Sequence, residues 1–576
     1  MTNLVLRSRR AGFALALTII MIVGLTVIST GAVIVGMSST LVRGYHWKAD
    51  ELGHAADAAL ETSRALLNAD RSLYPDSGYG ALEVDAPVQD LEGYALPGVT
   101  RSTYVGPVGI TSGQYGVFGA VISVVRSGPN TAIRRAQIVQ ESFAKFAYFT
   151  DVEPSTIAFG GGDQLYGPVH SNDVVRIYSS GATFHGRLTT AETISGSQYG
   201  TFRQGFTEGA GVIPMPEMAD LEKLQVQAAA GGTSFTGSTS AVGRATTRIE
   251  FVAIDLNGDG DTTDANEGFI RVYSSPDDDW VVGAVPVNDM VDEETCGDYH
   301  AGAFVSADAH NEPGWGGHSS YAALGTSSRR CYLGGDSALF NQFRANDGTG
   351  SWQQWSGTVS PLLDARDDRN YLFPITREMN AGFKGVVFVD GDVAVSGTVR
   401  GRVTVAATGD IIIADDLRYS VDPSVGSCED IIGLFAGGDV VIPYTPLVAP
   451  WRRDGGSYLS FGETPDEFVH GFILTLNQFT VQSYASGSSE DEPCQTNDWG
   501  RGCLYLTGGI IQRQRGPVGT SGGTGYVKRY SYDGCGASAP PPYFPTTGNF
   551  TRSQYYDVDP TGFDINAYFD MLTAGT

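Results

Sequence analysis

The chain has 576 residues, 75 of them glycine, with 64 acidic against 37 basic residues and a formal net charge of −27. Five of the basic residues precede Asp50, leaving 32 against 64 acidic ones beyond it, a balance that argues against nucleic acid and anionic lipid surfaces as partners of that part. The length leaves room for two or three domains. Glycine stands at about twice its usual share, and many turns joining short strands is the economical explanation.

Residues 11–42 contain no charged side chain. A run of eighteen or more mostly apolar residues is long enough to cross a bilayer as a helix. Arg7, Arg9 and Arg10 precede it and no acidic residue occurs before Asp50, so the basic flank is expected in the cytoplasm and the rest outside. A cleaved secretory signal has an apolar core of about 7–15 residues and a small-x-small site, and neither feature is found here. Beyond the run, Ala49, Leu52, Ala56, Ala59, Leu60, Ser63 and Leu66-Leu67 recur at helical spacing. The helix is therefore expected to continue until Asn68 and Asp70 break it. Its small-residue stripe suits either another helix or the protein's own globular part.

The basic leader, Gly12-Phe13 and the apolar helix together resemble the class III signal of type IV pilins and pseudopilins. The resemblance implies cleavage after Gly12, leaving Phe13 as the new N-terminus. The family's usual glutamate falls at Leu17 here, and such glutamate-less, Ala-rich starts resemble PilX-type minor pilins. The stretch from Trp47 to Glu61 is similar to their post-membrane Ala/Glu helix. An ordinary uncleaved anchor is the alternative.

Runs at Thr103–Val105, Tyr115–Val125 and Ala132–Phe143, with a Ser127–Asn130 turn, predict a small antiparallel sheet over 71–150. After residue 150 short apolar triplets alternate with glycine turns. Gly-Asp-(Val/Ile) steps begin at Gly391, Gly409 and Gly438, 18 and then 29 residues apart; spacing near 18–20 suits one coil of a β-solenoid, the longer step being one coil plus the loop that holds Cys428. A sandwich or meander is the competing fold. The fold expectation is mainly β: leader 1–12, transmembrane and extended helix 13–70, sheet 71–150, a first solenoid-like part 151–213, an inserted α+β region 214–380, and a second solenoid-like part with the C-terminal region 381–576. The insertion is expected to hold helices at Pro216–Ala230 and Ser337–Ala345. The segments Tyr166–Asn172 and Arg515–Gly519, the Asp-rich loop below and the Gly-Asp steps together resemble uncharacterised exported bacterial proteins with pilin-like N-termini. That resemblance implies architecture and no activity.

The strongest local motif is Asp255, Asn257, Asp259, Asp261, Asp264 and Glu267, with Gly260 at the sixth position of an EF-hand-like loop. Strand-like flanks point to a hairpin loop stapled by Ca²⁺, with a metal-free Asx-turn hairpin as the alternative. Six cysteines, Cys296, Cys331, Cys428, Cys494, Cys503 and Cys535, in an exported chain suggest disulfides. Cys494 with Cys503, Cys296 with Cys331 and Cys428 with Cys535 is one set among several. Cys296, His300, His310, His318 and Cys331 have zinc-ligand chemistry without a standard spacing. His170 and His185 read as ladder or turn residues, and Asp277–Asp279 as a solvated loop.

No nucleophile elbow, phosphate loop or dinucleotide fingerprint is present. The expectation is a non-enzymatic, membrane-anchored, pilin-like structural or interaction protein, its bulk exported to periplasm or surface. Its partners would be the membrane, other pilin-like helices and an envelope component, not nucleic acid. The alternatives are a carbohydrate-active β-solenoid enzyme and a surface adhesin with an uncleaved anchor.

Overall fold

The computed structural model describes residues 6–109, 113–238, 244–276, 281–282, 285–286, 297–300, 303–306, 330–331, 351–366, 368–445, 448–449, 458–459, 465–485, 501–520 and 524–574. At 6–12, 458–459 and the described positions between 285 and 331 it describes the backbone alone. The protein is mainly β, with one long N-terminal apolar helix and a separate antiparallel sheet. It divides into two compact units: 1–110, 118–139 and 550–576 form the first, and 111–117 and 140–549 the second.

In the first unit, helix α1 (Leu6–Ala69) runs unbroken through both the apolar run and the Ala-rich stripe. Asp70 ends it by accepting from the Ser72 N–H at 3.0 Å, which caps the next short turn. Strands β1 (Gly80–Gln89), β2 (Ala95–Pro107), β3 (Phe118–Ser127) and β4 (Asn130–Ser142) form a meander, and the C-terminal strand Thr546–Val558 adds to β4. The Ser127↔Asn130 pairing places the β3–β4 turn where the Gly-Pro sequence predicts it. The stripe packs on this sheet. Leu60 and Leu67 meet Val105, Val121 and Ile138, while Leu52 and Ala56 meet Val88, Val99 and Val125. On the opposite face Ala120, Ile122 and Val124 pack with Phe569 of the C-terminal helix Ile565–Ala574. Strand β3 is covered on both faces, which is why residues 120–125 read as a continuous run rather than an alternation.

The second unit is built from parallel strands. We label β5 (Tyr148–Val152), β6 (Val169–Ser171), β7 (Leu188–Thr190), β8 (Phe206–Thr207), β9 (Ser234–Thr236), β10 (Val386–Asp390), β11 (Val393–Val399), β12 (Arg402–Ala407), β13 (Ile411–Tyr419), β14 (Ile431–Ala436), β15 (Val440–Ile442), β16 (Glu467–Thr475), β17 (Phe479–Val481) and β18 (Cys503–Gln514). One parallel ladder runs β8-β7-β6-β5-β18-β16-β14-β12-β10-β9. A second runs β11-β13-β15-β17. The chain order is permuted along the first ladder. Strand β5, near the start of the unit, pairs with β18 near its end, Tyr148 opposite Ile510.

This order obliges residues 208–233 to travel the ladder's full height, about 43 Å for nine steps of roughly 4.8 Å. They climb past their own preceding strands: the Gly209 N–H reaches Glu192 O, Ala210 reaches Thr190 O, and Ile213 reaches Asn172 Oδ1. Two short helices, Met218–Glu222 and Leu224–Ala230, finish the ascent and end at Gly231. Ten extended residues and a dozen helical ones reach about 50 Å, enough for the span. Part of the region expected as an insertion therefore belongs to the ladder: β9 pairs with β10, and Thr247–Ala253 pairs in parallel with β11. The helix expected at Ser337–Ala345 lies outside the described residues.

Candidate functional sites: anchor helix and acidic loop

The apolar half of α1 is exposed along its length among the described residues. Phe13, Ile20, Leu25, Ile28, Val35 and Leu41 are all exposed, and the helix is long and apolar enough to cross a membrane by length and composition. Its threonine hydroxyls are satisfied internally. Thr18 donates to Ala14 O, Thr26 to Ile22 O, Thr30 to Thr26 O and Thr40 to Gly36 O, all at 2.7–2.9 Å. Polar groups that turn back onto the preceding helical turn cost little in an apolar phase. Gly12 and Phe13, the expected cleavage pair, lie inside this helix.

The Asp-rich segment is a hairpin loop, as its flanks predict: Thr247–Ala253 pairs antiparallel with Gly268–Ser274. Its carboxylates face its own backbone. The two oxygens of Asp255 accept from the Gly258 and Gly260 N–H at 2.6 and 2.9 Å. Fully buried Glu267 accepts from Leu256 and Asp264 N–H at 2.8 and 2.9 Å. Asn257 donates to Asp259 and Asp264, and Asp261 accepts from Thr263, whose hydroxyl and N–H pull the Asp261 carboxyl below its ordinary value. Gly258 and Gly260 adopt φ of +77° and +96°, which lets the chain fold over these acceptors.

Sequence reasoning missed the cation that ties this loop down. Arg400, buried at the end of β11, donates to Asp264 O at 3.0 Å and to Thr263 O, and its other side binds Asp430 at 2.9 Å and Glu429 at 3.1 Å. Ser420 adds a bond to Thr262 O at 2.7 Å. Among the described residues no group of three or more His, Cys, Asp or Glu side chains is arranged to hold a metal ion.

The Gly-Asp steps find a physical reason in the turns between the two ladders. Asp392 Oδ1 accepts the Asp410 N–H at 2.7 Å, Asp410 Oδ1 accepts the Asp439 N–H at 2.7 Å, and Asp439 Oδ1 accepts the Gln478 N–H at 3.1 Å. Each of these aspartates follows a glycine and caps the next strand along. A Cβ on Gly409 or Gly438 would sit 2.1 Å from the capping oxygen. Burial pushes the Asp410 and Asp439 carboxyls above their ordinary value. The same device recurs where Asp466 caps Cys503 N–H beside Gly502.

Cys428 and Cys535 form a disulfide with a Cα–Cα distance of 5.4 Å, joining the loop before β14 to the exit segment. Cys503 is also disulfide-bonded. Cys296, Cys494, His310, His318 and Asp277–Asp279 lie outside the described residues, and for His300 and Cys331 only the backbone is described. His170 is buried between Thr189 Oγ1 at 2.8 Å and Asn172 Oδ1 at 3.0 Å, and burial lowers its pKa. His185 stacks on Tyr166 with centroids 4.0 Å apart.

No family model matches the chain, and no curated protein matches it. Among solved structures, the competence-associated pilin ComZ from Thermus thermophilus aligns with 88% of this chain and 97% of its own at 12% identity and a TM-score of 0.24. A likeness at that score carries no argument about this chain.

Proposed function

We propose that this protein is a single-pass, membrane-anchored structural or interaction component of a type IV pilus or related envelope assembly. The observation that carries the reading is the division of α1: residues 13–42 present an all-round apolar surface, while Leu52, Ala56, Leu60 and Leu67 pack on the protein's own sheet. A helix apolar on every side belongs in lipid or among other apolar helices. In this reading Arg7, Arg9 and Arg10 stay in the cytoplasm, a prepilin-type peptidase cuts between Gly12 and Phe13, and the minor-pilin start at Leu17 enters a helical bundle. The parallel ladders are read as stacked solenoid coils, a rigid acidic scaffold with a non-catalytic role toward an envelope partner. Ca²⁺ belongs to the same proposal as the ion for the loop 255–267, on the chemistry of its oxygen donors.

N-terminal sequencing of the chain purified from membranes tests the reading. Phe13 as the first residue, in a fraction that resists carbonate extraction, is the expected result. An intact Met1 in that fraction would favour an ordinary anchor, and a chain released by carbonate would remove the membrane role.

A further inference from the structure

Strand β1 runs along α1 from the Leu67 end toward the Leu52 end. Gly80 pairs with Val105, which packs near Leu67, whereas Val88 packs with Leu52. The β1–β2 turn therefore points toward the end of the first unit from which the apolar run departs. That turn is built rigidly. Asp90 Oδ1 accepts from Glu92 N–H at 3.1 Å and Tyr94 N–H at 2.8 Å, Asp90 N–H reaches Tyr94 O at 2.9 Å, and Gly93 takes φ +86°. The turn holds Leu91 fully exposed and Tyr94 74% exposed among the described residues. At a tight turn held by its own hydrogen bonds, a polar side chain would serve the fold as well as Leu91.

On the helix, Tyr45 and Trp47 are 69% and 77% exposed, just beyond the apolar run, with Arg43 and Lys48 beside them. Trp47 lies five residues before Leu52, about 7.5 Å along the axis. Leu91 lies three residues beyond Val88, one in the strand and two in the turn, at most about 10 Å. The two features reach the same level.

We propose that Leu91 and Tyr94, together with Tyr45 and Trp47, form one surface that seats the first unit on the lipid interface of the bilayer crossed by α1. The inference rests on the anchor reading. Three observations select lipid over a second copy. The surface's helical members, Tyr45 and Trp47, follow the apolar run within five residues on the same helix. Its aromatic members combine an apolar ring with a polar tip, the chemistry of a headgroup region, and Arg43 and Lys48 suit phosphate. A few side chains also bury far less than the roughly 1,200 Å² that a stable protein interface requires.

The test is spin labelling of the full chain in phosphatidylcholine nanodiscs, with single labels at Leu91→Cys, Trp47→Cys, Ile28→Cys and Ser77→Cys. Collision with oxygen and with a nickel chelate reports depth. Labels at 91 and 47 are expected to give a ratio intermediate between that of 28 within the span and that of 77, just before β1. A water-like ratio at 91 with a lipid-like one at 28 overturns this inference alone. Shielding of 91 from both reagents shows protein cover, a second copy included, and overturns it too. A water-like ratio at 28 removes the anchor reading and this inference with it. In a second chain, Leu91→Asp with the label at Tyr94→Cys is expected to shift that label to the water-like ratio while 28 is unchanged.

Discussion

The antiparallel sheet of the first unit and the parallel ladder of the second are made from similar apolar residues but hold together by different means. In the sheet, β2, β3 and β4 pair in the order in which they follow one another along the chain, and their stability comes from side chains meeting α1 on one face and Phe569 on the other. In the ladder, paired strands are never consecutive in the chain, at least one other strand lying between them, and β5 and β18 come from near opposite ends of the unit. The turns carry aspartates that cap the next strand through a gap only glycine leaves open. At its apolar core positions the sheet tolerates changes of side-chain volume at a graded cost. The ladder depends on positions where no volume is available.

The substitution that separates them most is Gly409→Val. It drives a side chain into the Asp392 carboxylate and should destabilise the ladder by more than about 4 kcal/mol. Hydrogen exchange should rise in peptides from 386–442 and stay unchanged in 118–139. Loss of protection in both would show that the two units unfold together. Next in size, Arg400→Met leaves Asp430 buried without its cation and frees the Asp-rich loop, a loss of about 3–5 kcal/mol, read as a lower denaturant midpoint with faster exchange at 255–267. The counterpart in the sheet is Leu60→Ala, about 2–5 kcal/mol, with the exchange pattern reversed.

A smaller effect comes from pH. Burial holds His470 down at about 4 and also lowers His170, so both stay neutral in the folded ladder. A histidine whose folded pKa lies below its unfolded value contributes stability that is present above about 6.5 and lost as pH falls toward 4. The loss should be on the order of 2 kcal/mol and should flatten in His470→Gln, measured by thermal melts across that range. Asp410 and Asp439 act in the opposite sense, because their raised pKa values favour the folded state as they protonate, which limits the loss at the acidic end. The smallest expected effect is that of Ca²⁺. Several times Kd of free ion should stabilise the hairpin by about 1 kcal/mol, removed by chelator and by Asp255→Ala. Equal melting with and without the ion would leave Arg400 and Ser420 as the loop's sole staples among the described residues.

What could be read from the residues alone is what depends on neighbours along the chain. The uncharged run 11–42, the helical stripe from Leu52 to Leu67, the Ser127–Asn130 turn and the hairpin around Asp255–Glu267 all follow from spacing within a few residues, and each stands where that spacing predicts. The Gly-Asp steps were visible as a repeat, but their role as caps required the strand beyond. Arg400 gave no signal, because a lone arginine after an apolar strand reads as solvated until the loop 136 residues earlier folds over it. Only the tertiary structure decided that Thr546–Val558 returns to the first sheet and that Tyr148–Val152 pairs with Ile510–Gln514. Pairings of this kind are set by the register of buried faces on remote strands, and the short apolar triplets of the ladder are too alike for any one of them to name its partner.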